Sequence, residues 1–213
     1  MMGNGKSKAV KSRYLHAMAG LLLVTCLNAM LACDDPPSPQ GPSIADFENG
    51  KTAIPGGSDW HTFSDKQPGG TSWARVLNVP DGANHTQRAL RIEGKLTSQF
   101  IYPYAGAQAF FREGGIPEDV RKYTGIQFWV RGDGHSYSAA VITAAVTDYD
   151  YFSAPFRTNS DWTLVEIPFS QLKQTIPWGK RVQWTGTDAR GIAFDGQAFN
   201  GDFWFQVDEV RFY

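Results

Sequence analysis

Cysteine is almost absent from this chain of 213 residues. The two cysteines, Cys26 and Cys33, both lie near the start of the chain, so residues 34–213 contain none. A folded domain built from those residues can form no disulfide and has no thiol nucleophile. It also lacks the thiolates that bind iron–sulfur clusters and Cys-type zinc sites. The domain must therefore be stable through packing, with or without an oxygen-ligated metal ion.

A surplus of positive charge is also absent. The chain has 20 basic and 21 acidic residues. Residues 1–32 contain four basic residues and no acidic one, so the remainder carries 16 basic against 21 acidic residues, a net charge of −5. Nucleic acid binding needs a basic surface. We therefore expect no nucleic acid partner.

The first 32 residues have the order of an export signal. A basic stretch that includes Lys6 and Arg13 precedes an apolar run over 17–27, and the segment closes on Leu31-Ala32-Cys33. Basic, then apolar, then small residues is the pattern of a signal peptide, and the apolar run is too short for a membrane span. Cys33 after Leu-Ala resembles the lipobox of bacterial lipoproteins, with the leucine one place later than usual.

This resemblance implies that residues 1–32 are a lipoprotein signal peptide and that Cys33 is lipidated as the first mature residue. Residues 33–43 contain four prolines and read as an extended tether. The protein is then expected in the bacterial cell envelope, periplasmic or surface-facing, and held to the membrane only by its lipid anchor. An ordinary cleaved signal peptide is the alternative.

Helical periodicity is nearly absent from residues 44–213, where short strand patterns dominate. Residues 125–131 alternate, with Ile126, Phe128 and Val130 on one face. Further strands are predicted over residues 89–92, 136–147, 162–167 and 191–194, and one helical turn over 170–172. Clusters of Gly and Pro separate them. Many short strands predict an all-β domain over 44–213, folded as an antiparallel β-sandwich.

The apolar face of the last strand changes parity. Phe203 and Val207 have odd numbers, whereas Val210 and Phe212 have even ones. A one-residue slip predicts a β-bulge near Asp208, or a carboxylate turned inward there. A buried carboxylate must be paired or must bind a metal ion.

Five segments carry a family resemblance. They are residues 44–48, 129–134, 136–137, 162–170 and 203–210. Together they resemble the complex I intermediate-associated protein 30 family, which is similar to family 11 carbohydrate-binding modules. Both belong to the galactose-binding-like jelly rolls. The resemblance spans residues 44–213 and implies a jelly-roll sandwich whose first and last strands are neighbours.

The resemblance implies one of two functions. Mitochondrial members of the family assist respiratory complex assembly, whereas the modules bind glucan chains without catalysis. A lipoprotein signal favours the second, because its domain faces the sugars of a cell wall or of the medium. We therefore expect a non-catalytic domain that binds a glucan-like polysaccharide. A protein-interaction or assembly role is the alternative.

Aromatic residues make up 14% of the chain, and flat rings beside polar groups suit sugar rings. The predicted binding set is Trp60, His61, Tyr149, Asp150, Tyr151, Trp178 and Asp195. Its members lie in turns or at strand ends, several of them in regions where the modules place sugar contacts. The loop that contains Trp178 departs from the modules, whose loop is rich in Arg and Asp. A core or structural role is the alternative for each residue.

Acidic residues also mark the two ends of the domain. Asp46 and Glu48 lie in the first predicted strand and Asp208 in the last, and the resemblance makes these strands neighbours. Related modules hold a structural calcium at this kind of place. The resemblance therefore implies Ca²⁺ bound by Glu48 and Asp208, since calcium binds carboxylate oxygens. Surface or turn carboxylates are the alternative.

Catalysis has little support in the sequence. Asp148 and Asp150 fall on one side of a strand, as a hydrolase pair would, but acids in a strand-end turn are usually solvated. His61, His85 and His135 are isolated, with no metal-ligand spacing between them. We therefore expect no enzymatic activity.

Overall fold

The computed structural model describes residues 41–177 and 179–213. Their strands are β1 (Ser43–Ala45), β2 (His61–Ser64), β3 (Trp73–Pro80), β4 (Arg88–Leu96), β5 (Tyr104–Phe110), β6 (Gly125–Gly132), β7 (Ser136–Thr143), β8 (Phe152–Arg157), β9 (Thr163–Pro168), β10 (Ala189–Gln197) and β11 (Gly201–Phe212). Short 3-10 helices span Glu113–Gly115 and Phe169–Gln171. Within the described part of the chain, no helix has the length and apolar character needed to cross a membrane. The predicted signal peptide, most of the tether and Cys33 lie outside the described residues.

The strands form two antiparallel sheets that pack face to face. The first sheet has the order β3-β4-β11-β6-β9, with β1 also paired to β11, and the second has the order β2-β5-β10-β7-β8. The predicted antiparallel sandwich of jelly-roll type is therefore confirmed. The pairing of β1 with β11 also confirms that the first and last strands are neighbours.

The core lies between the sheets and is built from alternate residues of each strand. Ile126, Phe128 and Val130 of β6 are fully buried, as their spacing predicted. The Phe128 ring lies 4.9 Å from that of Phe194 on β10 and 5.2 Å from that of Phe156 on β8. Rings of both sheets therefore interlock. Burial of each such side chain stabilises the fold by roughly 1.5–3 kcal/mol.

The predicted bulge is present in β11. The register with β6 shifts between Asp208 and Arg211, and Glu209 has a φ of 45°. The extra residue lets Val207 and Val210 both reach the core, although their numbers differ in parity. Asp208 is fully buried at the bulge, so the strand contains both the bulge and a buried carboxylate.

Four strands were not predicted, namely β2, β3, β5 and β8. In β5 the core side chains are alanines, Ala105, Ala107 and Ala109, and alanine is a poor strand signal. The strand predicted over 136–147 is also too long, because β7 ends at Thr143.

Candidate functional site

One sheet surface outside the core combines aromatic and polar side chains. Phe194 on β10 is fully buried in the core, so its neighbour Asp195 lies on the opposite side of the sheet. Strand register sets Asp195 beside Gly106 of β5 and Ser138 of β7. We call this side of the second sheet the outer face.

Polar side chains cross the outer face in register. His61 of β2 pairs with Gln108 of β5, which in turn pairs with Ala193 of β10. In the adjacent row, Gly106 of β5 pairs with Phe63 of β2 on one side and with Asp195 of β10 on the other. Two sequence-predicted site residues, His61 and Asp195, therefore lie on one surface.

Aromatic rings occupy the same surface. Phe63 and Tyr151 pack over a small apolar cluster of β7 and β10, and Phe63 lies 6.3 Å from Tyr104. Tyr149 is 76% exposed, and its ring meets that of Tyr151 edge-on at 6.3 Å. Near the start of β10, the Arg190 guanidinium lies 5.7 Å from the centre of the Phe110 ring of β5. The outer face therefore offers aromatic rings with polar groups between them.

Asp195 is the most perturbed acid of the outer face. It is only 5% exposed, and the Gln197 side-chain amide donates to its Oδ2 at 2.5 Å. Burial raises the pKa of Asp195 to about 7, and the bond from Gln197 only partly opposes this. A Cβ at Gly106 would lie 2.5 Å from the Asp195 Cβ, so a glycine is required beside this carboxyl.

Trp60 corrects one site prediction. It is 3% exposed, and its ring stacks on Phe194 at 5.7 Å and lies 6.4 Å from Phe47. The indole is therefore part of the core. Its neighbour His61 is the member of this pair that lies on the outer face.

Asp150 corrects a second site prediction. Its carboxylate is buried and accepts hydrogen bonds from the backbone N–H groups of Thr175 and Ile176 at 2.9 and 2.8 Å. It also accepts one from Arg181 Nη1 at 2.9 Å. Asp150 therefore organises the loop after β9 rather than facing a ligand. Trp178 of this loop lies outside the described residues.

Asp148 holds the same loop. Its Oδ2 accepts the Lys180 backbone N–H at 2.6 Å, and this bond lowers the pKa of Asp148. Asp148 and Asp150 are thus both engaged by backbone and side-chain donors of one loop. Both carboxylates therefore hold this loop in place.

Glu48 and Asp208 face a common loop, residues 81–88. Glu48 accepts the Arg88 backbone N–H at 2.8 Å. Asp208 accepts the Ala83 backbone N–H at 2.8 Å. β1 ends at Ala45, so Asp46 and Glu48 lie after the first strand rather than in it. Glu48 and Asp208 of β11 therefore fix this loop through their carboxylates.

The same loop supplies some of the oxygen atoms that a calcium site needs. The Thr86 hydroxyl lies 2.6 Å from Asp208 Oδ2 and 2.6 Å from the Ala83 carbonyl oxygen. Burial raises the pKa of Asp208 to about 6. Calcium takes six to eight oxygens, and no three His, Cys, Asp or Glu side chains come together as a metal site in the described ranges. The residues supply part of the required oxygens, so calcium binding stays a prediction.

Several outer-face residues were missed by sequence reasoning. They are Phe63, Tyr104, Gln108, Phe110 and Arg190. The sequence of β5 alternates in the reverse of the usual sense: the small alanines face the core, and Tyr104, Gln108 and Phe110 lie on the other side. Large side chains opposite alanines indicate a strand whose bulky residues lie on the side away from the core.

A family model decides the affiliation of the chain. The model described as complex I intermediate-associated protein 30 (CIA30) matches residues 46–191. The chain belongs to this family. No curated protein matches this family member.

Solved structures of other proteins have the same fold as this CIA30 family member. The family 11 carbohydrate-binding module of cellulosomal cellulase Lic26A-Cel5E of Clostridium thermocellum is 18% identical, with a TM-score of 0.60 over 81% of this chain and 93% of that chain. A family 11 module from Clostridium thermocellum in complex with a β-1,3-1,4-mixed-linked tetrasaccharide is 19% identical, with a TM-score of 0.55 over 72% of this chain and 87% of that chain. A solution structure of CtCBM11 is 20% identical, with a TM-score of 0.56 over 83% and 97%.

Proposed function

We propose that the outer face of the second sheet binds a glucan-like polysaccharide and leaves it chemically unchanged. The observation that carries this proposal is the combination of exposed and half-buried rings with polar groups on one sheet surface. Tyr149, Tyr151 and Tyr104 supply flat rings, while His61 and Gln108, which are exposed and half-buried, supply hydrogen-bonding groups. A sugar ring needs both, because its faces are apolar and its edge carries hydroxyls.

The chemistry of the outer face favours a sugar over an apolar protein surface. Protein interfaces are apolar at their centre and exclude charged groups. The centre of this face instead contains Asp195, flanked by the amides of Gln197 and Gln108. A sugar hydroxyl can bond to the amides of Gln108 and Gln197, the second of which also holds Asp195, whereas an apolar partner would remove water from these amides without replacing its hydrogen bonds.

The expected affinity is modest. Stacking of one ring contributes about 1 kcal/mol, by analogy with aromatic pairs. Several rings and hydrogen bonds then give roughly micromolar to millimolar dissociation constants. Such binding is effective where many copies of a tethered domain meet one polymer.

A lipid anchor at Cys33 would place the domain where such polymers occur. The proposal is that residues 1–32 are removed, that Cys33 carries the lipid, and that residues 33–43 hold the domain away from the envelope membrane. Support comes from the sequence order of basic, apolar and small residues before Cys33.

A protein-interaction role is the second candidate. Membership of a family described as complex I intermediate-associated favours it. An exposed apolar residue, Ile101, lies in the loop between β4 and β5, where a protein partner could cover it. A partner that binds there would be lost in Ile101→Ser, whereas glycan binding at the outer face would remain.

Glycan binding is testable on the purified protein. A panel of immobilised neutral polysaccharides should retain the wild type, and Tyr149→Ala should weaken retention by about fivefold, the equivalent of one stacked ring. Tyr213→Ala is the matched control, because Tyr213 directly follows β11 of the first sheet. Both variants should melt close to the wild type, since neither ring belongs to the core.

Two results would overturn this proposal. The first is the absence of binding to every polysaccharide of the panel. The second is equal retention of the wild type, Tyr149→Ala and a Tyr104→Ala variant, which would show that the outer face does not contact the sugar. Release of new reducing ends during incubation would instead show that the domain is an enzyme.

A further inference from the structure

A groove of about 520 Å³ lies on the opposite side of the sandwich, on the outer side of the first sheet. Its lining includes two indole rings and several charged side chains, namely Trp73, Arg91, Glu93, Asp133, His135 and Trp204. Trp204 lies beyond the residues 46–191 that the family model matches. The groove is within the size range of small-ligand sites in proteins.

Strand register explains why the two indoles share this groove. Trp73 of β3 pairs with Lys95 of β4, and Trp204 of β11 pairs with Glu93 of the same strand. Lys95 and Glu93 are two residues apart, so all four side chains lie on one side of the sheet. β3 and β11 flank β4 and are therefore about 9–10 Å apart. A ligand that touches both rings must be longer than one sugar ring.

Charged groups hold one indole in place. The Arg91 guanidinium lies 4.4 Å from the centre of the Trp204 ring, and its Nε donates to Glu93. Glu93 also accepts a hydrogen bond from Arg75. Burial alone would raise the pKa of Glu93, but the bonds from Arg91 and Arg75 lower it overall. The carboxylate therefore stays ionised and keeps Arg91 against the ring.

The other wall of the groove is also preorganised. Asp133 Oδ2 accepts the Trp204 backbone N–H at 2.9 Å and the Tyr137 hydroxyl at 2.8 Å. The His135 ring stacks on Phe199 at 4.5 Å. These contacts fix the backbone of Trp204 and the position of His135 before any ligand arrives, so ordering them adds little to the free energy of binding.

The lining indicates the class of ligand. Three carboxylates, Glu93, Asp133 and Asp202, line the groove beside Arg91. Arg75 and Lys95 pair with Glu93 and Asp202, so the groove has no surplus of positive charge for phosphates and other polyanions. An aliphatic ligand would desolvate the same charged groups without replacing their hydrogen bonds. A guanidinium has five donors and a carboxylate about four lone-pair sites, so the network retains capacity for hydroxyl groups. A neutral chain of hydroxylated rings meets these conditions.

We propose that the groove between Trp73 and Trp204 is a second glycan-binding site, which takes a neutral oligosaccharide of at least two sugar rings. Trp73 is 39% exposed and stacks on one sugar, while Trp204 contacts the next. This inference extends the proposed function to a second surface. The two sites lie on opposite sheets, so one domain can hold two polysaccharide chains at once.

The test compares variants of the full chain on a panel of immobilised neutral glycans. Trp73→Ala/Trp204→Ala should lower the affinity for at least one bound glycan by about 25-fold, because two stacked rings are lost at about fivefold each. Trp73→Phe/Trp204→Phe keeps a flat ring at both positions and should stay within about threefold of the wild type. Melting curves identify any variant that fails to fold, and Trp73→Ala alone then serves in its place, because Trp73 lies on the edge strand β3.

A second measurement separates the two sites. In the described part of the chain, the outer face of the second sheet contains tyrosines and phenylalanines but no indole. In a Trp178→Phe background, quenching of tryptophan fluorescence by a soluble glycan should therefore disappear when Trp73→Phe/Trp204→Phe is added. Loss of binding in Tyr104→Ala/Tyr149→Ala alone, with the tryptophan variants unchanged, would overturn the second site and leave the proposed function intact. The reverse pattern would support the groove and overturn the outer face. Binding to no glycan would overturn both.

Discussion

The carboxyl group of Asp195 allows a quantitative test of the outer face. Burial raises the pKa of Asp195 from 3.8 to about 7, against the bond from Gln197. Replacement by asparagine keeps the shape and the acceptor for the Gln197 amide, but removes the titratable group. Comparison of the two proteins over a range of pH therefore isolates this one ionisation.

The sign follows from the two pKa values. The folded state binds the proton of Asp195 more tightly than the unfolded state does, because its pKa is higher. The stability that this group contributes is fully present below about pH 4 and is lost as the pH rises through 7. One pKa unit corresponds to about 1.4 kcal/mol, so the total loss is roughly 4 kcal/mol, of which about 2.5 kcal/mol falls between pH 5 and pH 8.

Urea unfolding at pH 5, 6, 7 and 8 measures this loss. The free energy of unfolding of Asp195→Asn, relative to the wild type, should rise by about 2.5 kcal/mol across this range. Asp202→Asn is the control, because the Asp202 side chain is 85% exposed, and it should follow the wild type. Titration of Asp208 is common to all three proteins and cancels. A difference between Asp195→Asn and the wild type that stays constant from pH 5 to pH 8 would refute the reasoning.

Three further predictions concern the core, the metal and the anchor. Trp60→Ala should lower the free energy of unfolding by about 3–5 kcal/mol in urea titrations, because a core ring is removed; a change below about 1 kcal/mol would show that the ring is not part of the core. If calcium binds at Glu48 and Asp208, chelator should lower the melting temperature, and Asp208→Ala should be insensitive to chelator; identical curves with calcium and chelator would contradict this. Cys33→Ala should release the protein from the membrane fraction and remove the lipid mass, and an unchanged mass would disprove lipidation.

The fold was predictable where strand faces differ in character. In β6, Ile126, Phe128 and Val130 alternate with polar or amphipathic residues, so the period of two is visible in the sequence. In β5, the core positions are alanines and the larger side chains point outward. Hydrophobic periodicity then marks the outward side of β5 as if it were the core side. The core side needs only alanines, because rings from other strands fill the packing space opposite β5. The bulge at Asp208 could be predicted for the same reason as β6. Large apolar residues alternate in both halves of β11, so the change of parity between the halves can be read from the sequence.

The site was only partly predictable, because sequence identifies ring-bearing segments but not which side of the sheet a ring occupies. Trp60 and His61 are adjacent and were predicted together, yet neighbours along an extended chain point to opposite sides. One of them had to be in the core, and the ring contact with Phe194 shows that it is Trp60. The choice depends on tertiary register, which no local pattern records.

The groove on the first sheet shows the same limit at longer range. Trp73 and Trp204 are distant in sequence, and neither was among the predicted binding residues. They line one groove because β4 pairs with both β3 and β11, with Trp73 opposite Lys95 and Trp204 opposite Glu93. In an antiparallel sandwich, each strand order brings such remote residues together on an outer surface. Surface sites of this fold therefore follow from sheet order and strand register, whereas core residues can be recognised within one strand.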